Sequence, residues 1–136
     1  MSYEIEPIGV VESPLTDKAT APKQGFEGSP EASLVFEQRV LAGLDGIAEG
    51  DQVILLTWLD RADRDVLTVH PRDDLSNPLR GVFSTRSAER PNPIGLHQVR
   101  VVAIEGNRLR VQDLEALDGT PVVDVKSLDA GPGPGR

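Results

Sequence analysis

The chain has 136 residues, of which 38% are hydrophobic and only 4% aromatic, which suits one domain with a core of Val, Leu and Ile. Its net charge of −8 argues against gripping nucleic acid by overall charge, and the lack of cysteine excludes disulfides and thiolate chemistry. No apolar run approaches the ~20 residues of a membrane-spanning helix, and the N-terminus lacks a basic stretch followed by an apolar one, so a soluble cytoplasmic protein without a leader is expected.

Residues 4–13 (EIEPIGVVES) alternate loosely and read as a first strand. Residues 14–32 form a polar stretch rich in Pro and Gly, long enough to predict a functional or a disordered loop. Residues 33–40 (SLVFEQRV) alternate as a strand, and the closely spaced glycines of 41–50 leave room for a short turn only. Residues 51–60 (DQVILLTWLD) are nearly continuously apolar, which predicts a buried central strand with Trp58 in the core. Residues 65–72 (DVLTVHPR) predict a strand ended by Pro71, residues 73–79 a turn, and residues 80–86 (RGVFSTR) another strand. Residues 97–117 predict a hairpin bending at Glu105-Gly106-Asn107. A last short strand over 121–128 precedes a Gly/Pro-rich tail, 129–136, expected to be flexible. The pattern predicts a single mainly β domain over residues 1–128, a pseudobarrel or sandwich of short, mostly antiparallel strands with long functional loops. No strand–helix–strand alternation or opening glycine fingerprint is present, so a Rossmann architecture is not expected.

Three stretches carry chemistry. In GVFSTRSAERPNPIGLHQVRV (81–101), Pro91 and Pro93 bias Arg90 and Asn92 toward extended backbone, and Gly95 permits a sharp exit. Such a stiff loop offers Arg86, Arg90 and Asn92 as donors to a carboxylate, a phosphate or a base edge, at low ordering cost. In the second stretch, Asp113, Glu115, Asp118 and Asp124 could accept from ribose hydroxyls, an ammonium group or arginines. Their spacing matches no calcium loop and the chain has two histidines, so no metal site is expected. In the third, the Lys23-Gln24-Gly25 core of ATAPKQGFEGSP could fold over a ligand. There is no Gly-x-Ser-x-Gly elbow, so a Ser–His–Asp hydrolase is not expected.

Two of these motifs, STRSAERPNPIGL and LDGTPVVDVK, occurring in that order, resemble the paired signatures of the TsaA-like family, also called TrmO; IGVVESP and APKQG are similar to further family elements. The resemblance covers about residues 8–126. It implies a β pseudobarrel that acts as a homodimer and binds S-adenosylmethionine. It further implies methylation of N6 of threonylcarbamoyladenosine at position 37 of tRNAs that read threonine codons. Carried over by motif, Gln24, Gly25, Asp60, Arg61, Arg86, His97, Asp113, Leu114, Glu115 and Ala116 would contact the cofactor. Arg90, Asn92 and Lys126 would hold the substrate, with Arg86 and Arg90 on the threonyl carboxylate or a phosphate. Asp118 and Asp124 are the candidates for drawing away the proton of the poorly nucleophilic target nitrogen. The chain departs from the pattern at Asp124-Val125-Lys126-Ser127-Leu128, where relatives continue Asp-x-Lys-Pro-Tyr, and at His97, where many carry Ser. The second, C-terminal domain of some relatives, thought to help with tRNA, is not expected. A different RNA or a small molecule as acceptor, or a module that binds the cofactor without transfer, are the alternatives.

Overall fold

The computed structural model describes residues 1–16 and 30–128. Gln24, Gly25, most of the long polar loop and the expected tail lie outside the described residues. Six strands form one antiparallel sheet: β1 (Gly9–Glu12), β2 (Ala32–Phe36), β3 (Gln52–Trp58), β6 (Ile94–Glu105), β7 (Arg108–Gln112) and β8 (Pro121–Ser127). Between β3 and β6 lies a separate two-stranded ribbon, β4 (Thr68–Val69) and β5 (Arg80–Gly81). The order in the main sheet is β1-β2-β7-β6-β3-β8, and β8 also pairs with β1 through Gly9 opposite Val122, so the sheet returns on itself as a pseudobarrel.

Period-two alternation sends one face of each strand inward. Val11, Leu34, Phe36, Val53, Leu55, Val99, Val101, Leu109, Val111 and Val122 fill the interior, joined by Leu114 and Ala116 from the segment after β7. Branched aliphatics with one phenylalanine fit this narrow interior, which accounts for the low aromatic content. Two register shifts, between Val101 and Ala103 against β7 and between Leu56 and Thr57 against β8, bend the sheet as it wraps.

The predicted hairpin forms as β6 and β7, turning at Gly106 with φ +65°. β6 starts earlier than expected, at Ile94, because Ile94 to Arg100 pair in unbroken register with Trp58 to Gln52. Three expectations change. β3 is not buried on both faces: Val53, Leu55 and Thr57 point inward, while Ile54, Leu56 and Trp58 are only partly covered. Trp58 is therefore outside the core and carries the Arg64 guanidinium 5.1 Å from its ring centre. Residues 65–72 and 80–86 contribute only two strand residues each. Beyond Gly81 the chain turns into a 3-10 segment, Val82–Ser84, because the Ser84 and Thr85 hydroxyls donate to the carbonyls of Gly81 and Val82 and so compete with a ladder.

Candidate active site

The loop between β5 and β6 is built by its own side chains. Arg90 folds back and donates to three carbonyls: Ser87 from Nε at 2.8 Å, and Val82 and Thr85 from Nη2 at 2.7 Å each. Hydroxyl turns add to this, with Thr85 Oγ1 accepting from the Ser87 amide at 3.2 Å and Ser87 Oγ from the Glu89 amide at 3.3 Å. The segment after β3 grips the other side. The Asp63 amide donates to the Glu89 carboxylate, and Arg64 donates to the Pro91 carbonyl at 2.6 Å and to Asn92 Oδ1 at 2.9 Å. Stiffness therefore comes from this cross-bracing together with the prolines. Arg90 and Asn92, expected to face a substrate, spend these donors and acceptors on the loop itself.

This braced loop forms one wall of a cleft of about 680 Å³. The opposite walls are the end of β3 with Asp60 and Arg61, the β4–β5 ribbon, and Glu115 to Leu117. A volume of this size admits a nucleoside-sized ligand. A smaller cavity of about 340 Å³ lies beside it, and the two share Arg86, Leu96, His97 and Glu115.

At that shared wall stands a hydrogen-bonded array. His97 is 5% exposed, on the inward face of β6. Its Nε2 lies 2.7 Å from the Oγ1 of fully buried Thr57, and its Nδ1 lies 2.5 Å from Glu115 Oε1. An ionised carboxylate can only accept, so Nδ1 carries the hydrogen of that bond. Gly95 makes the array possible. A Cβ there would sit 2.7 Å from His97 Nε2 and collide with Thr57 Oγ1. Its role is thus space for the imidazole rather than the turn freedom expected.

The remaining candidates divide. Arg86 lines both cavities and makes one long hydrogen bond, 3.3 Å to the Leu96 carbonyl, which leaves most of its fork available among the described residues. Leu114 and Ala116 bury their side chains, so only their backbone can face a ligand, and among the described residues that backbone, with that of Glu115, forms no hydrogen bond. Asp113, at φ +72°, borders the smaller cavity. Arg61 lines the cleft while donating to the Asp118 carbonyl at 2.9 Å. Asp118 itself accepts from the Ser13 amide at 3.0 Å, closing the loop after β1. Asp124 accepts from the Val125 amide at 2.9 Å and lies 3.6 Å from the exposed Lys126 ammonium, on β8. Asp118, Asp124 and Lys126 are absent from the described lining of both cavities. Thr57, Arg64 and the His97–Glu115 contact escaped the sequence reading; a histidine at an inward β6 position was the available signal.

A cleft at one end of a small antiparallel pseudobarrel, walled by a braced arginine loop and a buried histidine–carboxylate pair, defines a ligand-binding β domain. The model of the tRNA-methyltransferase O N-terminal domain matches residues 10–129, and the chain belongs to that family. It is 43% identical over 122 residues to an S-adenosyl-L-methionine-binding protein of Archaeoglobus fulgidus, covering 90% of this chain and 86% of that one. It is also 43% identical over 126 residues to a probable S-adenosyl-L-methionine-binding protein of Methanothermobacter thermautotrophicus, covering 93% and 90%. The crystal structure of TrmO from Pseudomonas aeruginosa superposes with a TM-score of 0.77 at 26% identity, over 99% of this chain and 62% of that one. A second TrmO crystal structure gives 0.76 at 30% identity, over 95% and 58%, so the chain spans about three-fifths of the solved chains.

Proposed function

We propose that this protein binds S-adenosyl-L-methionine in the cleft and transfers its methyl group to N6 of threonylcarbamoyladenosine at position 37 of threonine-accepting tRNA, as a cytoplasmic homodimer. The observation that carries this reading is the convergence of Arg86, the backbone of Glu115 and Ala116, which forms no hydrogen bond among the described residues, and the Glu115 carboxylate on one cleft in a chain of this family. The donor set suits the cofactor. The Arg86 fork matches an amino-acid carboxylate, the backbone amides and carbonyls of Glu115 and Ala116 match an adenine edge, and Asp60 and Glu115 offer carboxylates to ribose hydroxyls and to positive charge. Gln24, Gly25 and Asp113 belong to the same proposal through the resemblance. When bound, the sulfonium supplies an electrophilic methyl group. The chain's own contribution is orientation: a loop already cross-braced by Arg90 and Arg64 needs little ordering before it holds a reactant in line.

The cleft also departs from the chain's overall charge. Its described lining carries five arginines (61, 72, 80, 86, 90) against four carboxylates (60, 73, 89, 115), whereas the whole chain is at −8. That local balance supports an anionic polymer entering here. The homodimer is supported by the apolar rim of the cleft on β6, where Ile94 and Leu96 remain 45% and 47% exposed.

The test is methyl incorporation from labelled S-adenosyl-L-methionine into total tRNA from cells that make threonylcarbamoyladenosine, beside tRNA from cells that do not. Label on N6 of that nucleoside in the first sample alone supports the reading. A second reading, cofactor binding without transfer, is favoured by the relatives' descriptions as binding proteins; cofactor affinity with no label in any RNA would select it.

A further inference from the structure

We infer that Glu115 is the proton acceptor of the transfer step, with His97 and Thr57 as the residues that position it. This rests on the methyl-transfer reading above and deepens it.

The proton acceptor must stand within reach of the reacting atoms. Glu115 belongs to the wall common to both cavities, whereas neither Asp118 nor Asp124 is in the described lining of either. Asp124 has both oxygens engaged, with the Val125 amide and the Lys126 ammonium, and Asp118 has Oδ1 on the Ser13 amide. Glu115 is set apart by its place on both cavities. One oxygen, Oε1, takes the His97 Nδ1 hydrogen, and no described residue donates to the other. A carboxylate with one oxygen fixed and one unclaimed is an oriented acceptor.

His97 cannot play that part itself, because both ring nitrogens are committed, one to Glu115 and one to Thr57. Its contribution is aim. Held by a fully buried threonine below and given room by Gly95, the ring fixes the rotation of the carboxylate. The carboxylate is mostly covered, with a side-chain exposure of 16%, so little bulk water competes for its unclaimed oxygen.

The step balances. The acceptor N–H proton moves to Glu115 Oε2 as the new N–C bond forms and the S–C bond of the sulfonium donor breaks. The bonding pair of the S–C bond stays on sulfur, which becomes a neutral thioether. The donor's positive charge and the carboxylate's negative charge are both discharged, leaving methylated nitrogen and a neutral carboxylic acid.

Glu115→Gln is the decisive variant, because its amide oxygen can still accept from His97 Nδ1 while the group no longer takes a proton. Turnover on modified tRNA is expected to fall about 10²–10⁴-fold. Calorimetric affinity for S-adenosylhomocysteine should fall far less than turnover does. Nitrogen-15 spectra of the His97 ring without cofactor should show Nδ1 protonated in the wild type and in Glu115→Gln, and lose that signature in Glu115→Ala. For positioning, His97→Asn, whose amide N–H can stand in for Nδ1, should retain more turnover than His97→Ala. Wild-type turnover in Glu115→Gln overturns the proton-acceptor role. So does a loss of turnover matched by an equal loss of product-cofactor affinity, which would make Glu115 a binding residue. Equal losses in the two His97 variants overturn the positioning role. A wild-type protein that binds cofactor but methylates no RNA removes the methyl-transfer reading itself, and the base with it.

Discussion

Replacing Arg90 separates two roles that the sequence leaves open. In the structure its guanidinium donates to three carbonyls of its own loop. A hydrogen bond from a charged donor contributes about 1.5–3 kcal/mol, which for three independent bonds would give roughly 4–9 kcal/mol. The bonds are not independent. Val82 O keeps the Thr85 amide at 3.0 Å and the Thr85 hydroxyl at 2.9 Å, and the other two carbonyls can be rehydrated in a partly exposed loop. We therefore expect Arg90→Ala to cost about 2 kcal/mol. At about 4 °C per kcal/mol for a chain of this size, Tm should fall by roughly 8 °C. Arg90→Lys should recover less than half of this, since one ammonium on a flexible stem cannot match a fork that spans three carbonyls. Thermal unfolding of the protein alone, followed by circular dichroism, measures both. Unchanged melting of Arg90→Ala together with weakened RNA binding would refute the clamp and return Arg90 to the anion-holding role.

Gly95→Ala should destabilise the fold by about 1–3 kcal/mol in urea unfolding, because the new methyl must displace the His97 ring or Thr57. Wild-type stability in that variant would mean that the strands can part without cost. Arg64→Ala removes a cation stacked on Trp58 and two loop bonds, and should lower stability by about 1–2 kcal/mol while shifting the Trp58 fluorescence. Asp118→Ala frees the Ser13 amide and should cost about 1 kcal/mol by the same unfolding assay. The side-chain and backbone bonds from Ser76 hold the Asp74 carboxyl below its ordinary value, so its small stabilising effect is present at neutral pH and lost as pH falls through the lowered value. A Ser76→Ala variant should move the Asp74 titration, read by NMR, upward.

What was legible in the sequence followed short-range rules. The β6–β7 hairpin was readable because both arms alternate and a glycine occupies the bend. β3 was readable as a strand but not in its facing, because Ile54, Leu56 and Trp58 are as apolar as the residues that point inward, and a continuous apolar run hides its own period. Residues 82–86 misled because the hydroxyls of Ser84 and Thr85 satisfy the backbone locally, a contest that strand propensity does not register. The motifs located the cleft, yet their own chemistry did not assign its members. Arg90 lines the cleft yet, like Asn92, is also bonded within its own loop region, which composition does not register. The Thr57–His97–Glu115 array joins residues 40 and 18 positions apart, and only the pairing of β3 with β6 and the path of the chain after β7 bring them together.

The β4–β5 ribbon has two residues per strand and stands outside the main sheet, with Leu67, Leu79 and Phe83 largely exposed around it. A ribbon of this length has little cooperativity of its own. Its amides should therefore exchange with solvent by local opening, well before those of β3 and β6, which open only with the whole domain. The ribbon wall of the cleft is thus expected to open locally more readily than the wall bearing His97, a difference that hydrogen exchange measures.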